Sequence, residues 1–114
     1  MTPSLLVIDV AHPPRRPGSV EAELQDALQA VRDSPSIRVI KVIHGYGSSG
    51  RGGATRETVR NWGYANRRRM RDVIAGEAYS LANEPTQALR REVGDYPDPD
   101  IGAGNGGITM LWIR

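Results

Sequence analysis

Short apolar runs alternate with amphipathic stretches along the 114 residues of this chain. Residues 4–10 are apolar almost without interruption, which predicts a strand buried on both faces. Residues 37–43 predict a second strand, and residues 70–77 predict a third. The apolar residues 108–113 predict a strand that closes the sequence.

In the segments between these runs, apolar residues recur at the spacing of an α-helix. A first helix is expected from an N-cap at Ser19 to a stop at 34–36, because its apolar residues recur at helical spacing. Those residues are Val20, Leu24, Ala27, Leu28 and Val31. A second helix is expected over 54–66, with a thin apolar face built on Val59 and Trp62. A short third helix is expected to open at Asn83-Glu84-Pro85 and to run through Val93, with proline tolerated at its start.

The alternation of strands and helices predicts an α/β fold. We expect a two-layer sandwich, with a mixed four-stranded sheet, two main helices on one face and the short third helix added at an edge. The first two strands and the helix between them should form a right-handed parallel crossover. No repeat or linker divides the chain, so residues 1–114 are expected to form a single domain.

Composition narrows the function classes. The chain has no cysteine, which excludes a disulfide framework and a thiolate zinc site. Its histidines are only His12 and His44, which excludes a metal cage built of histidines alone. We assign no metal site and expect no cofactor, and whether a metal assists stays open. No apolar run approaches the roughly 20 residues that span a bilayer, and the N-terminus lacks the features of a secretory signal. We therefore expect a cytoplasmic protein without membrane contact; a monomer is the default expectation, which the sequence does not determine.

Charge is unevenly distributed around a net charge of +2. Residues 51–71 contain a single acidic residue, Glu57, and a block of arginines: Arg51, Arg56, Arg60, Arg67, Arg68, Arg69 and Arg71. Such a block is typical of a protein that binds a polyanion. The alternative is a solvated helix face in a chain whose only lysine is Lys41. The region 72–100 is acidic, and we hypothesise that it engages a protein partner.

Polar residues stand where the first two strands end. Asp9 lies near the end of the first run and His44 follows the second. Ligands collect beyond the carboxyl ends of parallel strands, so we expect these two side chains to lie close together. A carboxylate beside an imidazole suits general acid–base chemistry near neutral pH. The alternative is that each side chain only hydrogen-bonds to local backbone.

The glycine-rich loop 44–53 follows His44 and leads into the second helix. Glycines allow backbone N–H groups to face an anion, and a helix N-terminus adds partial positive charge. On a helical wheel Arg56, Arg60 and Arg67 fall within about 40° of one another, opposite the apolar face. The spacing Gly45-x-Gly47-x-x-Gly50 also fits a dinucleotide fingerprint, which leaves a small nucleotide as an alternative ligand.

One segment resembles the central signature of the small MutS-related (Smr) domain family. It runs through His44-Gly45-Tyr46-Gly47, Ser49, Gly52-Gly53, Arg56, Val59 and Trp62. The opening strand with its helix and the closing 102–109 segment are also similar to that family. The resemblance implies a fold like the C-terminal domain of translation initiation factor three. It also implies DNA or RNA binding and, in several members, endonuclease activity.

The candidate residues follow from the resemblance and the charge pattern together. Asp9 and His44 are the catalytic candidates. The expected nucleic-acid-binding residues are Gly45, Tyr46, Gly47, Ser49, Arg51, Gly52, Gly53, Arg56, Arg60 and Arg67.

The chain departs from the family pattern at one catalytic position. Ala11 stands where the family motif has a histidine, and His12 comes one residue later. Strand alternation predicts that His12 faces away from Asp9, so we expect nuclease activity to be weak or absent while binding persists. A second departure is the long stretch 76–100. Three functions stay open: a nucleic-acid-binding domain with weak nicking activity, an inactive nucleic-acid-binding adaptor, and a small-molecule phosphate or nucleotide binder.

Overall fold

The four predicted strands form one mixed sheet in the computed structural model, which describes residues 5–46, 52–94 and 97–114. The strands are β1 (Leu5–Asp9), β2 (Val39–Ile43), β3 (Met70–Ala75) and β4 (Ile108–Ile113). Their order across the sheet is β1-β2-β4-β3. β1 and β2 are parallel, whereas β4 runs antiparallel to both β2 and β3. The predicted α/β class with a mixed four-stranded sheet is confirmed.

Three helices connect the strands: α1 (Pro17–Asp33), α2 (Gly52–Ala65) and α3 (Glu84–Val93). α1 begins two residues before the predicted N-cap at Ser19, because Pro17 has a fixed φ that suits the first helical turn. α3 begins as predicted, and the Asn83 side chain accepts a hydrogen bond from the Thr86 amide. Within the described ranges no helix is long and apolar enough to cross a membrane.

The first face of the sheet is covered by α1 and α2, which also contact each other. The side chains that build this core come from both helices and from alternate positions of the strands. They include Val20, Leu24, Leu28, Val31, Ile40, Val42, Val59, Trp62, Leu111 and Ile113. The predicted apolar faces of the two helices therefore pack on the sheet as expected.

The second face has a core of its own, which the long stretch after β3 supplies. Tyr79 and Leu89 pack there against Val39, Met110 and Trp112. α3 contacts β3, an edge strand, which agrees with an addition at the sheet edge. All six residues of β4 are buried because both of its faces are covered. The 76–100 stretch therefore supplies side chains to the core of the second face and also places α3 against the edge strand β3.

Candidate functional site

Asp9 and His44 lie at the carboxyl ends of neighbouring parallel strands, as predicted. Asp9 pairs in register with Ile43, and His44 is the next residue along the chain. Because side chains alternate along a strand, Asp9 shares the second face with Ile43, whereas His44 lies on the first. Their hydrogen bonds confirm the separation, since Asp9 contacts His12 and His44 contacts Thr109. The predicted Asp9–His44 acid–base pair is not formed.

His44 is fully buried and holds a junction between backbone segments. Its Nδ1 lies 2.9 Å from the Gly45 carbonyl oxygen and its Nε2 lies 2.8 Å from the Thr109 hydroxyl. A carbonyl can only accept, so this network assigns the proton to Nδ1 and leaves Nε2 to accept from the threonine. Burial lowers the pKa of His44, and the positive charges of Arg60 and Arg56 lower it further. His44 is therefore a neutral histidine sealed from solvent.

Arg60 joins the same network instead of standing free for a phosphate. Its Nε donates to the Thr109 hydroxyl at 2.9 Å, and its two terminal nitrogens donate to the Glu77 carboxylate at 2.6 and 3.2 Å. This bidentate bond is the main cause that lowers the pKa of Glu77. Arg60 therefore makes four hydrogen bonds within the chain, counting one to the Ile108 carbonyl, and is not the free outward side chain that the helical wheel predicts; its contact with nucleic acid stays a prediction. A continuous chain runs from Glu77 through Arg60 and Thr109 to His44.

The described part of the glycine-rich loop closes on the turn before β4. Gly45 has a φ of +79°, a conformation that favours glycine. The amides of His44 and Gly45 both donate to the Gly107 carbonyl, at 2.9 and 3.0 Å. The Gly45 N–H is thus engaged within the chain and does not face an anion, in contrast to the prediction for this loop. Gly52 and Gly53 begin α2, and the candidates Gly47, Ser49 and Arg51 lie outside the described residues.

Tyr46 lies over the same closing turn. A Cβ atom at Gly107 would lie 3.3 Å from the tyrosine ring, and one at Gly106 would lie 3.5 Å from it. The two glycines therefore give the ring room to rest on the backbone. The side chain is nevertheless 59% exposed, so much of the ring is accessible to a ligand.

The chain turns back directly after β1, which brings His12 to Asp9. His12 Nδ1 lies 2.9 Å from Asp9 Oδ2, and the amides of Ala11 and His12 donate to Oδ1 at 2.9 and 3.1 Å. The expectation that His12 faces away was wrong, because it assumed that the strand continues beyond Val10. Burial raises the pKa of Asp9, but these bonds outweigh it and hold the pKa below its ordinary value.

This turn is adjacent to the glycine-rich loop. A Cβ atom at Gly45 would lie 4.0 Å from that of Ala11. The His12 side chain is 72% exposed, in contrast to the buried His44. An accessible carboxylate–histidine pair therefore lies beside Gly45, although with a different histidine from the predicted one. The signal in the sequence was the Pro13-Pro14 pair, which is incompatible with a continuing strand.

The remaining predicted arginines differ in their surroundings. Arg56 is half-buried on α2, and none of the ion pairs of the described residues involves it. α2 ends at Ala65 and Arg67–Arg69 form a short 3-10 helix, so the helical-wheel position predicted for Arg67 is wrong. Arg67 donates to the Tyr64 carbonyl and places its guanidinium 4.6 Å from the centre of the Tyr64 ring.

The acidic region is largely committed to contacts within the chain. Asp98 and Asp100 both bind the ammonium of Lys41, which is buried in β2, and Asp98 also accepts from the Tyr79 hydroxyl at 2.8 Å. Burial lowers the pKa of Lys41, but the bonds to Asp100 and Asp98 outweigh it and raise the pKa overall.

Two further acidic side chains of this region, Glu77 and Glu92, pair with Arg60 and Arg71. Glu77, Glu92, Asp98 and Asp100 are thus committed to ion pairs within the chain, and the engagement of a protein partner by this region stays a prediction. Sequence reasoning missed the ion pairs of the acidic region. For Asp98 and Asp100 there was a signal, because a lysine within an apolar strand, Lys41, requires a buried carboxylate.

Together these features define a mixed α/β domain with a glycine-rich junction between its second strand and its second main helix. The sequence matches no protein-family model, and a comparison with curated proteins found no match. The structure is similar to the crystal structure of the Smr domain of Thermus thermophilus MutS2, with a TM-score of 0.57 and 20% sequence identity. The match covers 96% of this chain and 98% of the Smr domain. It establishes the Smr-type fold that the His44–Trp62 signature implied.

Proposed function

We propose that this chain is an Smr-type domain that binds nucleic acid through the surface formed by Tyr46, Arg56 and Arg67–Arg69. The observation that carries the proposal is the run of three arginines at the end of α2. All three side chains are exposed, and none of the ion pairs of the described residues includes them. Arginines left without carboxylates suit phosphate oxygens, whose neutralisation releases counterions.

A polymer fits this surface better than a small phosphate ligand does. The Gly45 amide, which a small anion would use, already donates to Gly107. The free positive charge lies instead along the outside of the domain, from Arg56 to Arg69. Charge spread along a surface in this way is typical of contact with successive phosphates.

The experiment is a binding titration at several salt concentrations, with matched single-stranded and double-stranded DNA and RNA. We expect the logarithm of the association constant to fall linearly with the logarithm of salt concentration. Absence of binding to all four probes at low salt would contradict the proposal. Binding that ignores salt would contradict the role given to the arginines.

A second function, phosphodiester cleavage, is favoured by the Asp9–His12 pair. We propose that these two residues replace Asp9 and His44 as the acid–base candidates. Asp9 would fix the His12 ring through Nδ1, and Nε2 would accept a proton from the attacking water or 2′-hydroxyl as its oxygen bonds to phosphorus. The P–O bond to the leaving oxygen would break, and the imidazolium would return the proton to that oxygen. His44 would hold the neighbouring backbone in place.

Cleavage is tested by comparing the wild type with His12→Ala and Asp9→Asn on a nicked-product assay. Loss of general acid–base assistance should slow cleavage by about 10²–10⁴-fold while binding is retained. Ala11→His serves as the comparison, because it restores the residue of the family motif. A wild type that binds but does not cleave would leave the adaptor function, and an active His12→Ala variant would exclude His12.

A further inference from the structure

A strip of side chains runs from Tyr46 along α2 to Arg67. We propose that this strip binds a single strand of nucleic acid, with Tyr46 and Tyr64 as two platforms on which bases stack. The proposal rests on the proposed nucleic-acid binding. It adds the class of strand that is bound and the contacts that select it.

The members of the strip are placed near one another by the closing turn, by the Arg60–Glu77 bonds and by helix spacing. A Cβ atom at Gly106 would lie 3.5 Å from the Tyr46 ring and 3.3 Å from the Glu77 carboxylate. Glu77 in turn accepts both terminal nitrogens of Arg60. Tyr64 follows Arg60 by four residues in α2, so both lie on one helix face, about 6 Å apart along its axis.

The two tyrosines are accessible aromatic rings on a domain that has few. Tyr46 is 59% exposed and Tyr64 is 67% exposed. The position of Tyr64 is not explained by the core, because the apolar face of α2 is buried through Val59 and Trp62. An aromatic ring held at the surface beside phosphate-binding charge is the usual arrangement in proteins that bind single strands.

Positive charge accompanies the second platform. The Arg67 guanidinium lies 4.6 Å from the centre of the Tyr64 ring, and Arg68 and Arg69 follow it along the chain. A guanidinium stacked on an aromatic ring keeps its outer edge free to donate to phosphate. One nucleotide could therefore stack its base on the Tyr64 ring and place its phosphate against the Arg67 guanidinium.

A single strand fits this strip better than a duplex does. In a duplex the base faces are covered by their neighbours, so an exposed tyrosine finds no face on which to stack. An unpaired strand offers each base in turn. Arg60 and Glu77 lie between the two tyrosines and neutralise each other. The strip therefore has charge for the backbone at the Arg67 end and a near-neutral centre.

The test is the affinity of Tyr64→Leu and Tyr64→Phe for a single-stranded oligonucleotide, for its duplex and for a series of the same oligonucleotide with one abasic position each. Tyr64→Leu should weaken single-strand binding by between about fivefold and about a hundredfold, and Tyr64→Phe should leave it close to wild type. The effect of Tyr64→Leu should disappear on the probe whose abasic position faces residue 64. Leu81→Ala is the matched control, since Leu81 is 60% exposed and lies outside the strip.

Three outcomes would overturn the proposal, and they differ in what else they imply. If Tyr64→Leu binds the single strand as the wild type does, the strip is wrong and the proposed function stands. If the loss is equal on duplex, single strand and every abasic probe, Tyr64 does not stack on bases. If the wild type binds no nucleic acid, the proposed function and the strip fail together. Thermal melting of each variant shows that the fold is intact.

Discussion

Several polar residues near the strand ends have hydrogen-bond partners that differ from those predicted from the local sequence. His44 and Arg60, which stand in the segments expected to meet a ligand, are bound to Thr109 instead. Thr109 lies 65 residues from His44 and 49 from Arg60, so no local pattern indicates these bonds. His12, which alternation directed away from Asp9, is the histidine that contacts it.

The buried His44 predicts a dependence of stability on pH. Its pKa in the folded chain lies below the ordinary value of 6.5, so the unfolded chain binds more protons as pH falls through that value. Stability is fully present above about pH 6.5 and decreases as pH falls toward the lowered pKa of the folded state. Urea unfolding at several pH values between neutral and mildly acidic should show this slope.

His44→Gln provides the comparison for that measurement. Glutamine cannot be protonated in this range, so the variant should be less stable at neutral pH but should have a flatter profile. If the free energy of unfolding of His44→Gln changed with pH as steeply as that of the wild type, the pH dependence would have to come from another group. Asp9, Glu77 and Asp100 also have lowered pKa values, and their contribution is lost only at lower pH because carboxyl groups titrate there.

Gly76 predicts the effect of a single added methyl group. A Cβ atom there would overlap the Asn105 carbonyl oxygen and lie 2.6 Å from Cγ1 of Ile108. Because the first of these atoms belongs to the backbone, Gly76→Ala should reduce the free energy of unfolding by about 2 kcal/mol or more. Gly18→Ala is the control, because nothing lies within 4 Å of its added Cβ. Within α1 that change should stabilise by about 0.5–1 kcal/mol. Chemical denaturation measures both, and equal effects would contradict the clash.

At the scale of elements, β2 shows how a strand accepts a charge inside a core. Four of its five residues are buried, and Lys41 is one of them. The segment after α3 supplies Asp98 and Asp100, and Asn105 donates to Asp100 at 2.9 Å. The long stretch after β3 thus carries the counter-charge that allows a lysine in this strand.

Lys41→Met tests that dependence. Removing the ammonium leaves two carboxylates without their cation, which should cost about 3–5 kcal/mol of unfolding free energy. The triple variant Lys41→Met, Asp98→Asn, Asp100→Asn should recover most of the loss, because no charge is then left without a partner. Arg71→Met is the exposed counterpart, and loss of its 3.3 Å pair with Glu92 should cost less than about 1 kcal/mol. Equal costs at the two sites would contradict the buried pair.

At the scale of the whole molecule, folding redistributes charge along the surface. In the sequence a basic block is followed by an acidic region, and the net charge is +2. In the structure the acidic region neutralises Lys41, Arg60 and Arg71. The positive charge that remains on α2 and its end belongs to Arg56 and to Arg67–Arg69, and these arginines form the basic side that we propose for nucleic-acid binding.

The salt dependence of binding should report on these arginines unequally. Arg67→Ala and Arg68→Ala should each reduce the salt slope by up to about one unit if each contacts one phosphate. Arg60→Gln should leave the slope nearly unchanged and lower the thermal midpoint, because its bonds hold Glu77 and Thr109. Arg32→Ala, at the exposed end of α1, is the control. A slope that falls as much for Arg32 or Arg60 as for Arg67 would contradict the basic side proposed here.

The sequence by itself determined the elements and the buried sides of the helices. It was wrong about β1, which was predicted to be buried on both faces but is an edge strand with Val7 52% exposed. β4 has the predicted bounds, α1 buries the predicted apolar residues, and Asn83 caps α3. These features follow from local rules, because periodicity records which side of an element meets the core and capping acts over a few residues. The glycine-rich segment after β2 likewise indicated the Smr-type fold that the structural comparison established.

Only the tertiary structure decided which polar side chains meet. The bonds from His44 and Arg60 to Thr109 depend on β2 pairing with β4, which brings Val42 opposite Thr109. The pair of Lys41 with Asp98 depends on a contact across 57 residues. Such partners are fixed by strand register and by the burial that penalises an unpaired charge, and neither is a property of neighbouring residues. Local pattern therefore indicated the end of the sheet where the candidate residues lie, and long-range packing determined which of their side chains are bound within the chain.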